Sequence, residues 1–313
     1  MLPQVWRLRA AAALALVLVL AVVASGRMSL FARWQGGQTN RVAAQHPSTS
    51  VSLPATLPSA PPGGKPAASE IVEPGRSQLH VPVLMYHYIR VPREPPRTVG
   101  YDLSVTPDDF RAQMDWLAQN GYRPVTLRDV SAYLANLGTL PARSVVLTFD
   151  DGYADFYSTA WPVLREHHFT AVAYLVSGFL GRPGYVTAEQ VAELDRAGVE
   201  VGAHTVTHVD LTIVAAADLV HELVDGKASL EHIVNHPVLD FSYPSGRHNP
   251  AVEKAVQAAG FDTATTTEQG AAESAASRFA WPRVRVEGQE PLTRFAQNLG
   301  PLDPTVQASS PTG

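Results

Sequence analysis

Two aspartates, Asp150 and Asp151, close the run Val145-Val146-Leu147-Thr148-Phe149-Asp150-Asp151-Gly152-Tyr153. Two histidines four residues apart, His204 and His208, follow downstream in Val201-Gly202-Ala203-His204-Thr205-Val206-Thr207-His208. Adjacent carboxylates at the end of an apolar stretch repel one another, and a bound divalent cation is the simplest way to keep both ionised near neutral pH. The four-residue spacing lets one short segment turn both imidazoles toward a single ion. One carboxylate with two imidazoles leaves coordination positions open to water and substrate, the arrangement of a hydrolytic rather than a structural centre. Each signal is weak by itself, because Asp-Asp-Gly is usually a turn and the chain has eleven histidines. Together they define a candidate metal site.

Residues so far apart in sequence meet only if the fold brings them together. From Leu79 to Gly300, apolar strand-like runs alternate with amphipathic helical patterns. The predicted strands are His80 to Tyr86, Val145 to Phe149, Ala171 to Val176, Val199 to Ala203, Leu239 to Tyr243 and Phe261 to Thr265. The predicted helices are Thr106 to Asn120, Ala154 to His167, Thr187 to Ala197, Asp218 to Val234 and Pro250 to Ala259. The first of these has Thr106 as N-cap, Pro107 at its first position and Gly121 after its end. Continuously apolar strands separated by helices imply a parallel sheet covered on both faces, either doubly wound or a (β/α) barrel. In both, chemistry gathers past the carboxyl ends of the strands, where Asp150, Asp151, His204 and His208 all fall.

The 313 residues carry a net charge of −5 with no long basic block, which gives no electrostatic reason to expect nucleic-acid binding. There is no cysteine, so a metal must be held by His, Asp or Glu. Residues 1–32 hold Arg7 and Arg9 before an apolar run from Ala10 to Ala24, and read as a signal peptide or signal-anchor helix. A Pro/Ser/Ala/Gly-rich linker over 33–78 suits a tether from a membrane anchor, with the arginines inside. A secreted product of signal cleavage is the alternative. Residues 79–300 form the expected catalytic domain, and 301–313 a disordered tail.

Three segments carry a family resemblance: Thr148-Phe149-Asp150-Asp151-Gly152-Tyr153, His204-Thr205-Val206-Thr207-His208 and Ser242-Tyr243-Pro244-Ser245-Gly246. In this order and spacing they resemble the first three motifs of the polysaccharide deacetylases, the NodB-homology group of carbohydrate esterase family 4. The segment Val81-Pro82-Val83-Leu84-Met85-Tyr86-His87-Tyr88 resembles the branch that includes the biofilm poly-N-acetylglucosamine deacetylases. The resemblance implies a deformed (β/α) barrel, with Asp151, His204 and His208 as metal ligands and Asp150 as general base. It also implies that the amide of Ser245 stabilises the oxyanion. A His/His/Asp set suits Zn²⁺, and Co²⁺, Ni²⁺ and Mn²⁺ bind the same ligand types.

The chain departs from the family pattern in three places. Ser242 stands where an Arg usually orients the base, Ser245 stands where Tyr is frequent, and no histidine follows His248 to act as the C-terminal general acid. His87, at the end of the first strand, is the candidate acid, with a structural histidine beside the ligands as its alternative. His248 is a weaker candidate. Tyr153, Tyr243 and Pro244 are expected to line the sugar cleft. The segment Trp281-Pro282-Arg283-Val284-Arg285 is expected to place an arginine such as Arg283, or the Trp281 indole, near the acetyl group, where an arginine would also replace the missing one; a core position is the alternative for Trp281. His167 and His168 are read as helix-end residues, and His221, His232 and His236, with Glu222 and Glu231, as a solvated face. The expected activity is hydrolysis of acetamide to amine and acetate on an extracytoplasmic N-acetylated polysaccharide. Its rivals are an O-acetyl esterase and a carbohydrate-binding domain whose catalysis has lapsed.

Overall fold

The computed structural model describes residues 79–300 and the backbone of the two-residue strand Ile71–Val72, which pairs antiparallel with Leu140–Pro141. The signal or anchor segment 1–32, the remainder of the linker 33–78 and the tail 301–313 lie outside the described residues.

Seven parallel strands close into a barrel: β1 (Val83–Tyr86), β2 (Ser144–Phe149), β3 (Val172–Leu175), β4 (Glu200–Ala203), β5 (Asp240–Ser242), β6 (Thr263–Gln269) and β7 (Trp281–Arg285). Around the ring the order is β1-β7-β6-β5-β4-β3-β2. The ladder from Val83–Val146 to Tyr86–Phe149 joins β2 back to β1. That closure decides for the barrel over the doubly wound sheet. The barrel is deformed where β4 meets β5 through the single pair Ala203–Phe241, and where the β6–β7 register shifts between Thr265 and Gln269. β1 to β4 are buried at every position, as strands between a filled interior and covering helices must be.

The covering helices are α1 (Pro107–Gln119), α2 (Leu127–Leu134), α3 (Trp161–Glu166), α4 (Ala188–Arg196), α5 (Gly226–Val234), α6 (Pro250–Ala258) and α7 (Leu292–Asn298). Their starts follow side-chain chemistry. Thr106 Oγ1 accepts from the Asp109 amide at 3.1 Å, and Thr126 and Thr187 form reciprocal capping boxes with Asp129 and Gln190.

Several expected elements differ in detail. The run His80 to Tyr86 is two strands, because Leu79–His80 pairs antiparallel with Ala272–Glu273 before Pro82 interrupts the ladder. β7 was not among the predicted strands, since Pro282 and two arginines conceal its apolar alternation. The predicted helix Ala154 to His167 contains a π-helical turn, Phe156–Ala160, before Pro162, which has no N–H to donate. Asp218 to Val234 likewise contains a π-helical turn, His221–Asp225, between the short helix Ala216–Val220 and α5.

Candidate active site

The carboxyl ends of the strands surround a cavity of about 350 Å³, whose wall includes His87, Asp150, Asp151, Tyr153, His204, His208 and Ser245. Asp150 and Asp151 follow β2, His204 follows β4, and His208 lies in the loop beyond it. Asp151 Oδ1 stands 3.4 Å from His204 Nε2 and 3.3 Å from His208 Nε2. Ligand atoms each about 2.1 Å from a tetrahedral ion are separated by roughly 3.4 Å, which these two separations match, and all three ligand atoms lie within 4.8 Å of one another. Asp151 Oδ1 is buried and has no hydrogen-bond donor among the described residues, as a metal-directed oxygen would. His204 Nδ1 donates to the Ser242 carbonyl at 2.7 Å, which aims its Nε2 lone pair at the centre. Burial alone would raise the Asp151 carboxyl, but the imidazoles of His204 and His208 more than reverse it and keep the group ionised. Asp151 itself raises the His208 pKa.

The backbone is bent to deliver these groups. Asp151, Thr205, His208 and Ser245 all have positive φ, at 73°, 68°, 61° and 55°. Thr205 Oγ1 accepts from the His208 amide at 2.9 Å, closing the turn between the two histidines. On the same loop, Val206 O accepts from Gly178 N at 3.0 Å. A Cβ at Gly178 would lie 2.4 Å from that oxygen, so only glycine permits the approach.

Asp150 is held by an arginine. The Arg283 guanidinium, 0% exposed, donates to both Asp150 oxygens at 2.7 Å. It also donates to Thr148 Oγ1 at 3.0 Å, Ser242 Oγ at 3.1 Å and the Thr266 carbonyl at 2.8 Å. Burial would raise the Asp150 carboxyl, but the charge and hydrogen bonds of Arg283 outweigh it and hold the group below its ordinary value. His87 Nε2 lies 3.8 Å from Asp150 Oδ2. Burial lowers the His87 pKa more than Asp150 and Asp151 raise it, so the imidazole rests neutral near pH 7.

The structure thus brings together Asp150, Asp151, His87, His204, His208, Tyr153 and Ser245, and separates five others from the cavity. Arg283 is enclosed within the barrel, off the cavity wall, where it orients Asp150 and takes the place of the missing arginine. Trp281 is also 0% exposed and packs with Val83, Val172 and Tyr174 in the core. Its indole N–H donates to Ser274 O at 2.9 Å. Tyr243 and Pro244 are buried, and the Tyr243 hydroxyl donates to Phe279 O at 2.9 Å. His248 stacks on Tyr243 and pairs with Glu253 at 2.8 Å. Arg285, two residues beyond Arg283 on the same face of β7, is the arginine that reaches the cavity. Tyr88, stacked on Tyr153 with centroids 3.8 Å apart, also lines it, with Leu103 and Thr267. Strand alternation could have found Arg285 had β7 been predicted. Glu222 overturns the solvated-face expectation: it is 5% exposed and bonded to the His204–His208 loop.

A family model described as polysaccharide deacetylase matches residues 138–264. The protein YxkH of Bacillus subtilis (strain 168), whose name assigns it provisionally to polysaccharide deacetylation, is 32% identical over 206 residues, spanning 66% of this chain and 71% of that protein. The chain belongs to the polysaccharide deacetylase family. Another relative, the poly-beta-1,6-N-acetyl-D-glucosamine N-deacetylase of Escherichia coli (strain K12), is 28% identical over 254 residues, spanning 67% of this chain but only 37% of that protein. Among solved structures, the Streptococcus pyogenes deacetylase PplD in complex with acetate superposes with a TM-score of 0.66 at 29% identity, covering 71% of this deacetylase-family chain and 99% of PplD.

Proposed function

We propose that the chain is a metal-dependent hydrolase that removes N-acetyl groups from an extracytoplasmic polysaccharide containing N-acetylglucosamine. The observation that carries this reading is the convergence of Asp151, His204 and His208, whose ligand atoms lie within 4.8 Å of one another, beside an Asp150 that Arg283 holds ionised. Asp151, His204 and His208 would hold a divalent cation, which when bound would supply Lewis acidity toward the acetamide carbonyl and water. The Asp150 carboxylate accepts the proton as the water oxygen adds to the carbonyl carbon. The Ser245 amide, on the cavity wall, donates to the developing oxyanion. Neutral His87, 3.8 Å from Asp150, receives the proton and gives it to the leaving nitrogen. The carbon–nitrogen bond then breaks to acetate and free amine. Tyr153 and Tyr88 form one side of the sugar cleft.

The apolar segment Ala10 to Ala24 is the basis for an extracytoplasmic site of action, held at the membrane or secreted. The relatives that act on poly-N-acetylglucosamine favour that polymer. Elemental analysis of the purified protein, coupled to acetate release from N-acetylated and O-acetylated glycans, tests the reading. Bound Zn²⁺, Co²⁺, Ni²⁺ or Mn²⁺ with acetate from N-acetylglucosamine oligomers is expected. Release from O-acetylated glycan alone would replace the deacetylase with an esterase, and glycan binding without release would replace it with a binding domain.

A further inference from the structure

The loop that carries His204 and His208 has an anchor outside the cavity. Glu222 lies in the π-helical turn His221–Asp225, on an element that contributes no residue to the cavity wall. Its Oε2 accepts from the amides of Val206 at 2.8 Å and Thr207 at 2.9 Å, and its Oε1 accepts from Thr207 Oγ1 at 2.6 Å. These donors all belong to the segment between the two histidines. From the opposite side, the amides of Ser177 and Gly178 donate to the carbonyls of Thr205 and Val206 at 3.1 and 3.0 Å. The loop is therefore gripped through its N–H groups by one carboxylate and through its carbonyls by the segment after β3. Gly226, one turn beyond Glu222, allows this approach, since a Cβ there would lie 3.3 Å from the Thr205 carbonyl carbon. π-helical turns are rare and recur at functional sites.

Positive φ at Thr205 and His208 means that the loop does not hold its shape by intrinsic preference. Without an anchor it would relax, and the 3.3 Å separation of His208 Nε2 from Asp151 Oδ1 would widen. We propose that Glu222 is a positioning residue that fixes the loop in the geometry needed for His204 and His208 to share one divalent ion. The inference rests on the reading that Asp151, His204 and His208 hold a metal. Partners that orient metal ligands from outside the ligand set typically contribute 10- to 100-fold in affinity.

Glu222→Gln and Glu222→Ala separate hydrogen bonding from charge. The glutamine oxygen can still accept from both amides while its NH₂ donates to Thr207 Oγ1, whereas alanine loses all three bonds. Zn²⁺ affinity measured by chelator competition is expected to fall about 10- to 100-fold in the alanine variant and to stay within a few-fold in the glutamine variant. The visible d–d spectrum of the Co²⁺-loaded protein is expected to change with alanine and persist with glutamine. Thr207→Val, which removes only the hydroxyl contact, is expected to show a smaller loss and keeps the test informative if the alanine variant does not fold. Wild-type Zn²⁺ affinity in Glu222→Ala, or in Thr207→Val where alanine does not fold, overturns the proposal, as does an equal loss in the glutamine and alanine variants. If the wild-type protein binds no divalent ion, the metal-site reading fails first, and the proposal falls with it.

Discussion

Replacing Arg283 with methionine keeps much of its volume while removing five hydrogen bonds, two of them to Asp150. What remains is a carboxylate enclosed in the barrel with no counter-charge from Arg283. Removing one partner of a buried pair costs about 3–5 kcal/mol. At roughly 2–4 °C per kcal/mol for a domain of this size, the melting midpoint should fall by about 6–20 °C. Asp150 can relieve part of this by protonating, because burial raises its pKa once the arginine that outweighed it is gone. A protonated Asp150 cannot accept the proton of water, so acetate release at neutral pH should fall by about 10²-fold or more, within the usual range for a lost general base. The loss should partly reverse at higher pH as Asp150 ionises again. Acetate release would be measured well below each variant's melting midpoint, so that lost folding is not read as lost chemistry. Arg283→Met combined with Asp150→Asn should recover most of the stability, since no unpaired charge is left, while activity stays absent. Near-wild-type turnover in Arg283→Met, or a double variant less stable than either single one, would refute the assignment of Arg283 as the group that holds the base.

His87→Ala should lower turnover far more than Zn²⁺ affinity, measured by acetate release at saturating metal and by chelator competition; parallel losses would mark the imidazole as structural support for the ligands. A pH effect is expected away from the cavity, at Glu273, which is fully buried and accepts from Val81 N at 3.0 Å. Burial pushes this carboxyl up to about 8 from an ordinary 4.5, so the folded state holds a proton that the unfolded chain releases. Its contribution is fully present below about pH 4.5 and is lost as pH rises toward 8, by at most about 1.4 kcal/mol per pH unit. Glu273→Gln should therefore stabilise the protein more at pH 8 than at pH 5 in denaturant unfolding, and an equal effect at both values would exclude this titration.

The barrel and the convergence of Asp151, His204 and His208 were legible because their signals are local. β2 and β4 are short apolar runs ending in polar groups, and parallel topology sends every strand's carboxyl end to one face. Arg283 was anticipated as a replacement for the missing arginine but not as a buried one, and Glu222 was misread as solvated, because the burial of a charged residue depends on partners the local pattern does not contain. The groups that justify burying Arg283 include Asp150, 133 positions away, and Thr148, 135 away. Glu222 takes its donors from a loop 15 and 16 positions earlier, through a π-helical turn that periodicity does not reveal. The serine at 242, met in sequence as a missing arginine, has a physical counterpart in the structure. Ser242 Oγ accepts from Arg283 Nη2 at 3.1 Å, so the guanidinium that holds Asp150 reaches across from β7 to the strand where the family usually places its own arginine. A second guanidinium at 242 would crowd this one and add an unpaired charge to a closed interior. Arg283 on β7 thus does for Asp150 what the resemblance assigns to an arginine at position 242 on β5.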